Sequence, residues 1–503
     1  MPDQSKFFDY APVTRPRDTS SKAEGIDERA LQSADPSEAR FADAPLDKEN
    51  VFSKDRLLEK SSEPAKRISR PLHIEQEQWI LKRGHTISFA GLCLFTVVLY
   101  FRPYEWSPSL AWTLHSAFWI VFGTLIVFVL TQLVLEGSLF AKTKEVTLVL
   151  LLALAALLSI PLSIDPGLAW GAFGGFLKPV LMFIILVNVV RSESRLKILI
   201  LLNLSVSCVI SIGAIRDYRA GDLAYGDRVA GIIGNLFDNP NVMALHLVTV
   251  VPISIALCFG TRRLALKTVY GASALLIAAA SVVSFSRGGF LGLAISQAFL
   301  IWKIRKRHRV VALTLFAIGL VAFVFFLPSE YGGRLSSILN VDSDPTGSAQ
   351  QRRAVLWRSI SVSLRHPFLG VGIGNFSIVS LRGLGTHNSY TQVASEMGLA
   401  ALAIYLAFIL TPLKRLREIE RAIHSASHDR QFYYLALGLQ ASLIGFMTAS
   451  FFAHVAYDWY IYYLVGYAVC LVRIFRDNSA RQTREAETSR HSPTLMSPAM
   501  EHL

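Results

Sequence analysis

The stretch VTLVLLLALAALLSIPLSI, residues 146–164, contains no charged side chain and is bounded by Lys142, Lys144 and Glu145 before it and Asp165 after it. An α-helix rises about 1.5 Å per residue, so a run of this length matches the roughly 30 Å hydrocarbon core of a bilayer. Backbone groups in lipid find no water, and a helix satisfies them within its own segment. The stretch therefore reads as a membrane-spanning helix.

The same pattern repeats in both directions. Apolar runs cover Thr86–Phe101, Leu114–Leu135, Val146–Ile164, Gly175–Val190, Ile198–Ile215, Asn241–Gly260, Thr268–Phe285, Phe290–Trp302, Val310–Leu327, Gly398–Leu413, Phe432–Phe452 and Trp459–Phe475. Of the 503 residues 52% are hydrophobic and 17% charged, and the mean hydropathy is +0.41, a balance that soluble globular chains do not carry. The expected fold is an all-α membrane protein of about twelve transmembrane helices, with one large loop between spans 9 and 10.

Charge sets the expected orientation. The connections after every second run carry Lys142 and Lys144; Arg191, Arg195 and Lys197; Arg262, Arg263 and Lys267; Lys303, Arg305, Lys306, Arg307 and Arg309; and Lys414, Arg415, Arg417 and Arg421. The positive-inside rule makes these loops, and with them both termini, cytoplasmic. Residues 1–84 are polar, have no apolar signal-peptide core and read as a disordered cytoplasmic tail. The membrane domain covers 85–475, with a periplasmic loop at 328–397, and 476–503 is a second disordered tail. The net charge of +13 is spread between the apolar runs, so it follows topology and does not indicate nucleic acid. Cys93, Cys208, Cys258 and Cys470 lie inside apolar runs, where a thiol behaves as a small hydrophobe.

The segments Arg216–Pro240 and Pro328–Met397 break the charge rule. The first carries Arg216, Arg219 and Arg228, the second Arg334, Arg352, Arg353, Arg358, Arg365 and Arg382, and neither has a lysine. A planar guanidinium grips phosphate oxygens at two points, which an ammonium cannot do. Contact with lipid headgroups, or pairing with Asp342, Asp344 and Glu396, is the better account of any single arginine, and the phosphate reading draws level only for the set.

Three polar clusters fall on this side. GDRVAGIIGNLFDNPN, residues 226–241, offers Arg228, glycines for close backbone approach, and Asp238, Asn239 and Asn241 as caps for the next helix. Ser286-Arg287-Gly288-Gly289 puts an arginine at a span edge, where it snorkels to a headgroup or serves function. Thr386-His387-Asn388-Ser389 leads into Ser395-Glu396-Met397-Gly398, and a neutral imidazole there can accept a hydroxyl proton. Residues 350–366 read as an amphipathic helix with Val355, Leu356, Ile360 and Leu364 on one stripe. Gly370-Val371-Gly372-Ile373-Gly374 lacks the βαβ setting of a dinucleotide site and reads as a flexible turn. The Asp342–Asp344 pair reads as a solvated turn, so no metal and no cofactor are expected.

These residues resemble the O-antigen ligase and polymerase superfamily of bacterial inner membranes, over roughly Thr86–Phe475. The carriers are Arg228 with the following Gly and Asn-Pro-Asn, the Ser286-Arg287-Gly288 turn, Arg353 with Trp357, PFLGVG at 367–372, and Thr386-His387-Asn388. His387-Asn388 with Gly398 fits the ligase pattern, while Ala401 stands where that pattern has Gly, Thr or Tyr. The resemblance implies transfer of a glycan from a polyprenyl diphosphate carrier to an acceptor hydroxyl at the periplasmic face. His387 would be the general base, and Arg228 and Arg287 would hold the diphosphate. Arg334, Arg353, Asn388 and Glu396 would bind substrate, Glu396 by orienting His387. The implied partners are the lipid-linked donor, membrane lipid, and an acceptor: lipid A–core for a ligase, a second carrier-linked glycan for a polymerase, or a protein. A flippase for the same lipid is the alternative of another class. It predicts charges at mid-membrane and two related halves.

Overall fold

The computed structural model describes residues 85–102, 116–136, 141, 143–223, 228–229, 231, 237, 239–304, 310, 348–425 and 430–491. Every element among them is helical. The tail 1–84, the ninth apolar run beyond Val310, and Arg334, Asp342 and Asp344 lie outside the described residues.

Each of the other expected runs is a helix: α1 (Thr86–Phe101), α2 (Ser116–Glu136), α3 (Lys144–Ser159), α4 (Pro166–Val189), α5 (Glu193–Ala220), α6 (Pro240–Gly260), α7 (Leu264–Val283) and α8 (Arg287–Lys303) come first. The 348–398 segment adds α9 (Ser348–Arg365), the short α10 (Phe376–Val379) and α11 (Ser389–Met397), and α12 (Leu399–Ser425), α13 (Arg430–Ala449) and α14 (Trp459–His491) follow. Among the described residues, six stretches are long and apolar enough to cross a membrane: α4, α5, α6, α7, Leu399–Ile423 and Arg430–Phe452. Thr86–Phe101 and Phe118–Val134 are shorter apolar helices.

Several boundaries move for identifiable reasons. α4 starts at Pro166, ahead of the expected Gly175, because the Asp165 carboxylate accepts from the Leu168 N–H at 3.0 Å and Pro166 presets the first helical residue. α12 and α14 continue past their apolar runs into charged turns, where α12 is held to its neighbours by ion pairs. Arg415 meets Glu145 at 2.8 Å with the carboxylate side chain fully buried, and Lys303 meets Glu420 at 2.8 Å. Stranding that buried Glu145 by removing Arg415 costs about 3–5 kcal/mol.

Lipid supplies little drive for helices to associate, so close packing through small residues does that work. A side chain at Gly292 of α8 would meet the Gly445 carbonyl and Ala449 of α13, and one at Gly289 would meet Ala244 of α6. These contacts lock α6, α8 and α13 together. They bring the N-termini of α6 and α8 to the same end as the C-terminus of α13.

Two local expectations change. On α9 the buried side is Val355, Ser359, Val362 and Ser363, whereas Leu364 is 68% exposed. The serines bury because each hydroxyl bonds back to its own helix, Ser359 to Leu356 O and Ser363 to Ser359 O, both at 2.8 Å. The glycine run 370–374 is a packed strap where a flexible turn was expected. Val371 N–H donates to Ser395 O at 2.9 Å, Gly372 N–H to Glu396 O at 3.0 Å, and Ile373 N–H to the Ser159 hydroxyl at 3.2 Å. Gly372 has φ 98° and presses on Ser163, a position that needs glycine for both conformation and space.

Candidate functional site

The site is built at the end of the bundle where α6, α8 and α14 begin and α3, α7 and α13 finish. One half surrounds Ser286, the cap of α8, whose hydroxyl accepts from Gly289 N–H at 3.2 Å and donates to Asn241 Oδ1 at 3.0 Å. Arg228 Nη2 donates to the same Asn241 oxygen at 2.8 Å, and its Nε reaches Ser284 O at 3.4 Å. The cap of α6 is Asn239, which receives the Asn241 N–H at 2.9 Å. Asn241 is therefore a bridge from Arg228 to the residue before Arg287, where the sequence suggested a cap. Both arginines remain half-buried. Phe285, just ahead of this turn, is held at φ 53°, a left-handed conformation that a side chain disfavours.

The other half surrounds His387, which also sits in the left-handed region at φ 51°. Such backbone costs about 1–3 kcal/mol and persists only where neighbours impose it. Here Thr386 Oγ1 donates to Asn388 O at 2.9 Å, and Asn388 Oδ1 caps α11 by accepting from the N–H groups of Tyr390 and Thr391 at 2.9 and 3.0 Å. Asn388 is thus buried in the cap and fixes the backbone from which His387 projects. Burial, the nearby Arg352 charge and the His454 ring push the His387 imidazole down to about 4, so it is neutral at ordinary pH.

Glu396 does not contact that imidazole. Its Oε2 accepts from Gly374 N–H at 3.0 Å and from the Tyr457 hydroxyl at 2.9 Å, so it ties the glycine strap to the start of α14. Burial pushes its carboxyl up to about 7, against the opposing pull of the Gly374 N–H, the Tyr457 hydroxyl and the Phe376 N–H. Arg353 is exposed on α9, and its neighbour Arg352 is the arginine whose charge acts on His387.

A single segment joins the two halves. Phe452 closes on Gly288, next to Arg287, and two residues later the His454 ring lies 5.4 Å from that of His387 with 72° between their planes. The segment is fixed to α11: the Ser389 hydroxyl donates to Ala453 O at 2.8 Å and accepts from Val455 N–H at 3.0 Å.

Residues 272–406 match the family model described as O-antigen ligase. That segment is similar to an O-antigen ligase domain. It carries Arg287, Arg353, His387, Asn388 and Glu396, and the match supports the resemblance to the O-antigen ligase and polymerase superfamily. No curated protein matches the chain. Together with its long apolar helices, the ligase-like segment supports a multi-pass membrane protein with O-antigen ligase-like glycan transfer in polysaccharide biosynthesis.

Arg228 precedes the matched segment and His454 follows it, yet the fold brings both to its edge. The sequence marked Arg352 only as one of the loop arginines, with no role of its own, and did not mark His454. His454 had a usable signal, since the alternation of spans puts the short connection between the last two apolar runs on the same side as His387. Arg352 had none beyond helical phase. Among the described residues no group of three His, Cys, Asp or Glu side chains is arranged to hold a metal ion.

Proposed function

We propose that this protein transfers a glycan from a polyprenyl diphosphate carrier to an acceptor hydroxyl in the manner of an O-antigen ligase. The reaction runs at the periplasmic face of a bacterial inner membrane, with both termini in the cytoplasm and the 328–397 loop on the periplasmic side. The observation that carries this reading is the convergence of Arg228, Arg287 and a neutral His387 on the two sides of segment 450–454, within and beside a ligase domain.

In this reaction the acceptor oxygen bonds to the anomeric carbon as the carbon–oxygen bond to the diphosphate breaks. The hydroxyl proton passes to His387, and the departing electron pair stays on the diphosphate. Negative charge grows on that leaving group, and two guanidiniums in a partly water-excluded site stabilise it without reorganising. A bound diphosphate also raises the basicity of His387 toward the working pH, where a general base is most effective. Arg353 on the exposed side of α9 and Arg334 contact the glycan, and the apolar helices below hold the polyprenyl tail.

The test is glycan transfer by purified protein supplied with a polyprenyl-diphosphate-linked glycan and either lipid A–core or a second carrier-linked glycan. Product on lipid A–core alone, lost in His387→Ala, is the expected result. Product on the carrier-linked glycan alone makes the enzyme a polymerase with the same site. Full activity of His387→Ala removes the base from the mechanism. Absence of transfer by the wild type to these acceptors and to protein acceptors rejects the transferase reading in favour of lipid transport.

A further inference from the structure

His454 stands out as a polar side chain whose placement no structural need explains. It is exposed, yet the residues on both sides of it are buried and fixed to α11 by Ser389, and Ala456 N–H is held by Gln392 Oε1 at 3.2 Å. Its ring lies against the Gly385 backbone, where a side chain would come within 3.2 Å of its Cε1 and Nε2. Among the described residues neither imidazole of the His387–His454 pair has a hydrogen-bond partner from the protein. A rigidly mounted ring with unused nitrogens is how a protein presents a group to a ligand.

Position along the segment narrows the ligand. His454 follows, by two residues, the Phe452 that packs on Gly288 beside Arg287, and it touches His387 on its other side. It therefore stands between the arginine edge and the base.

We propose that His454 is a further catalytic residue, a neutral imidazole whose N–H donates to an oxygen of the departing diphosphate. As the hydroxyl proton moves to His387 and the carbon–oxygen bond breaks, charge accumulates on that oxygen and the hydrogen bond strengthens. The transferred proton stays on His387, and His454 keeps its own. This role rests on the transferase reading, but it makes a binding prediction that needs no turnover.

The experiment measures direct binding of farnesyl diphosphate to the full chain in detergent, beside steady-state transfer, for wild type, His454→Phe and His454→Gln. A hydrogen bond to a charged group is worth about 1.5–3 kcal/mol, so His454→Phe should bind the diphosphate roughly 10-fold more weakly or worse. His454→Gln, which keeps a donor, should recover most of that affinity. In transfer, His454→Phe should lose about 100-fold in kcat, the usual effect of removing one donor to a developing anion. Wild-type diphosphate affinity in His454→Phe, with an unchanged unfolding midpoint, overturns the proposal. So does equal weakening in His454→Phe and His454→Gln, because that pattern reports ring packing. If wild type binds the diphosphate through His454 but transfers no glycan, the binding role stands and the transferase reading fails.

Discussion

Asn241 Oδ1 accepts two hydrogen bonds, from Arg228 Nη2 at 2.8 Å and from the Ser286 hydroxyl at 3.0 Å. One amide oxygen thus couples the loop ahead of α6 to the turn that carries Arg287.

Asn241→Leu should therefore disable Arg228 without touching it. Losing a hydrogen bond to a charged group costs about 1.5–3 kcal/mol, and if Arg228 serves the diphosphate, kcat/KM for glycan transfer should fall by about 10- to 100-fold. Asn241→Asp keeps the acceptor and should retain most activity. Steady-state kinetics of both variants check the coupling, and wild-type rates in Asn241→Leu would show that the bridge has no part in transfer.

The acid side of the pH profile should report His387. Its imidazole must be neutral to accept a proton, and burial, Arg352 and His454 hold it down to about 4. Wild-type kcat/KM should stay level as pH falls through 6 and decline only near 4, well below the ordinary histidine value of about 6.5. Removing a nearby cation favours protonation, so Arg352→Gln should move that decline to higher pH. A profile that does not shift in Arg352→Gln would separate the arginine from the base.

Glu396 makes the stability pH-dependent in the opposite sense from an ordinary carboxylate. Burial raises its folded value to about 7, so the folded state binds the proton more tightly than the unfolded one. The stabilisation is complete below the unfolded value of about 4.5 and is lost as pH rises through 7. Glu396→Gln, which cannot ionise, should flatten this dependence, with thermal unfolding between pH 5 and 8 as the measurement. An equally steep decline in the variant would assign the dependence to another group.

Orientation can be tested at Leu381, which is 46% exposed at the site end. Leu381→Cys in intact cells should react with a thiol reagent that cannot cross the inner membrane, whereas Cys470, buried within α14, should not. Labelling of Leu381→Cys only after lysis would invert the proposed topology.

The sequence by itself determined that the chain is helical and made for lipid, because the length of an uncharged run and the spacing of charges between runs are local properties. It also marked Arg228, Arg287 and His387, since a polar residue at a span edge is costly enough to be noticed one position at a time. Residue roles within the site escaped it. Asn241 has the composition of a helix cap, and only the approach of Arg228 and Ser286 makes it a bridge. Glu396 is nine residues from His387, but its carboxylate is taken by Gly374 and Tyr457 from distant parts of the chain. Arg352 and Arg353 are indistinguishable as neighbours in sequence, and the packing of Val355 and Ser359 decides which one α9 turns toward the histidines. His454 reaches His387 because Ser389 fixes the segment around it. Hydropathy is written along the chain and can be read there. The partner of a polar atom is chosen in three dimensions, where helices packed through glycine bring remote loops within hydrogen-bonding distance.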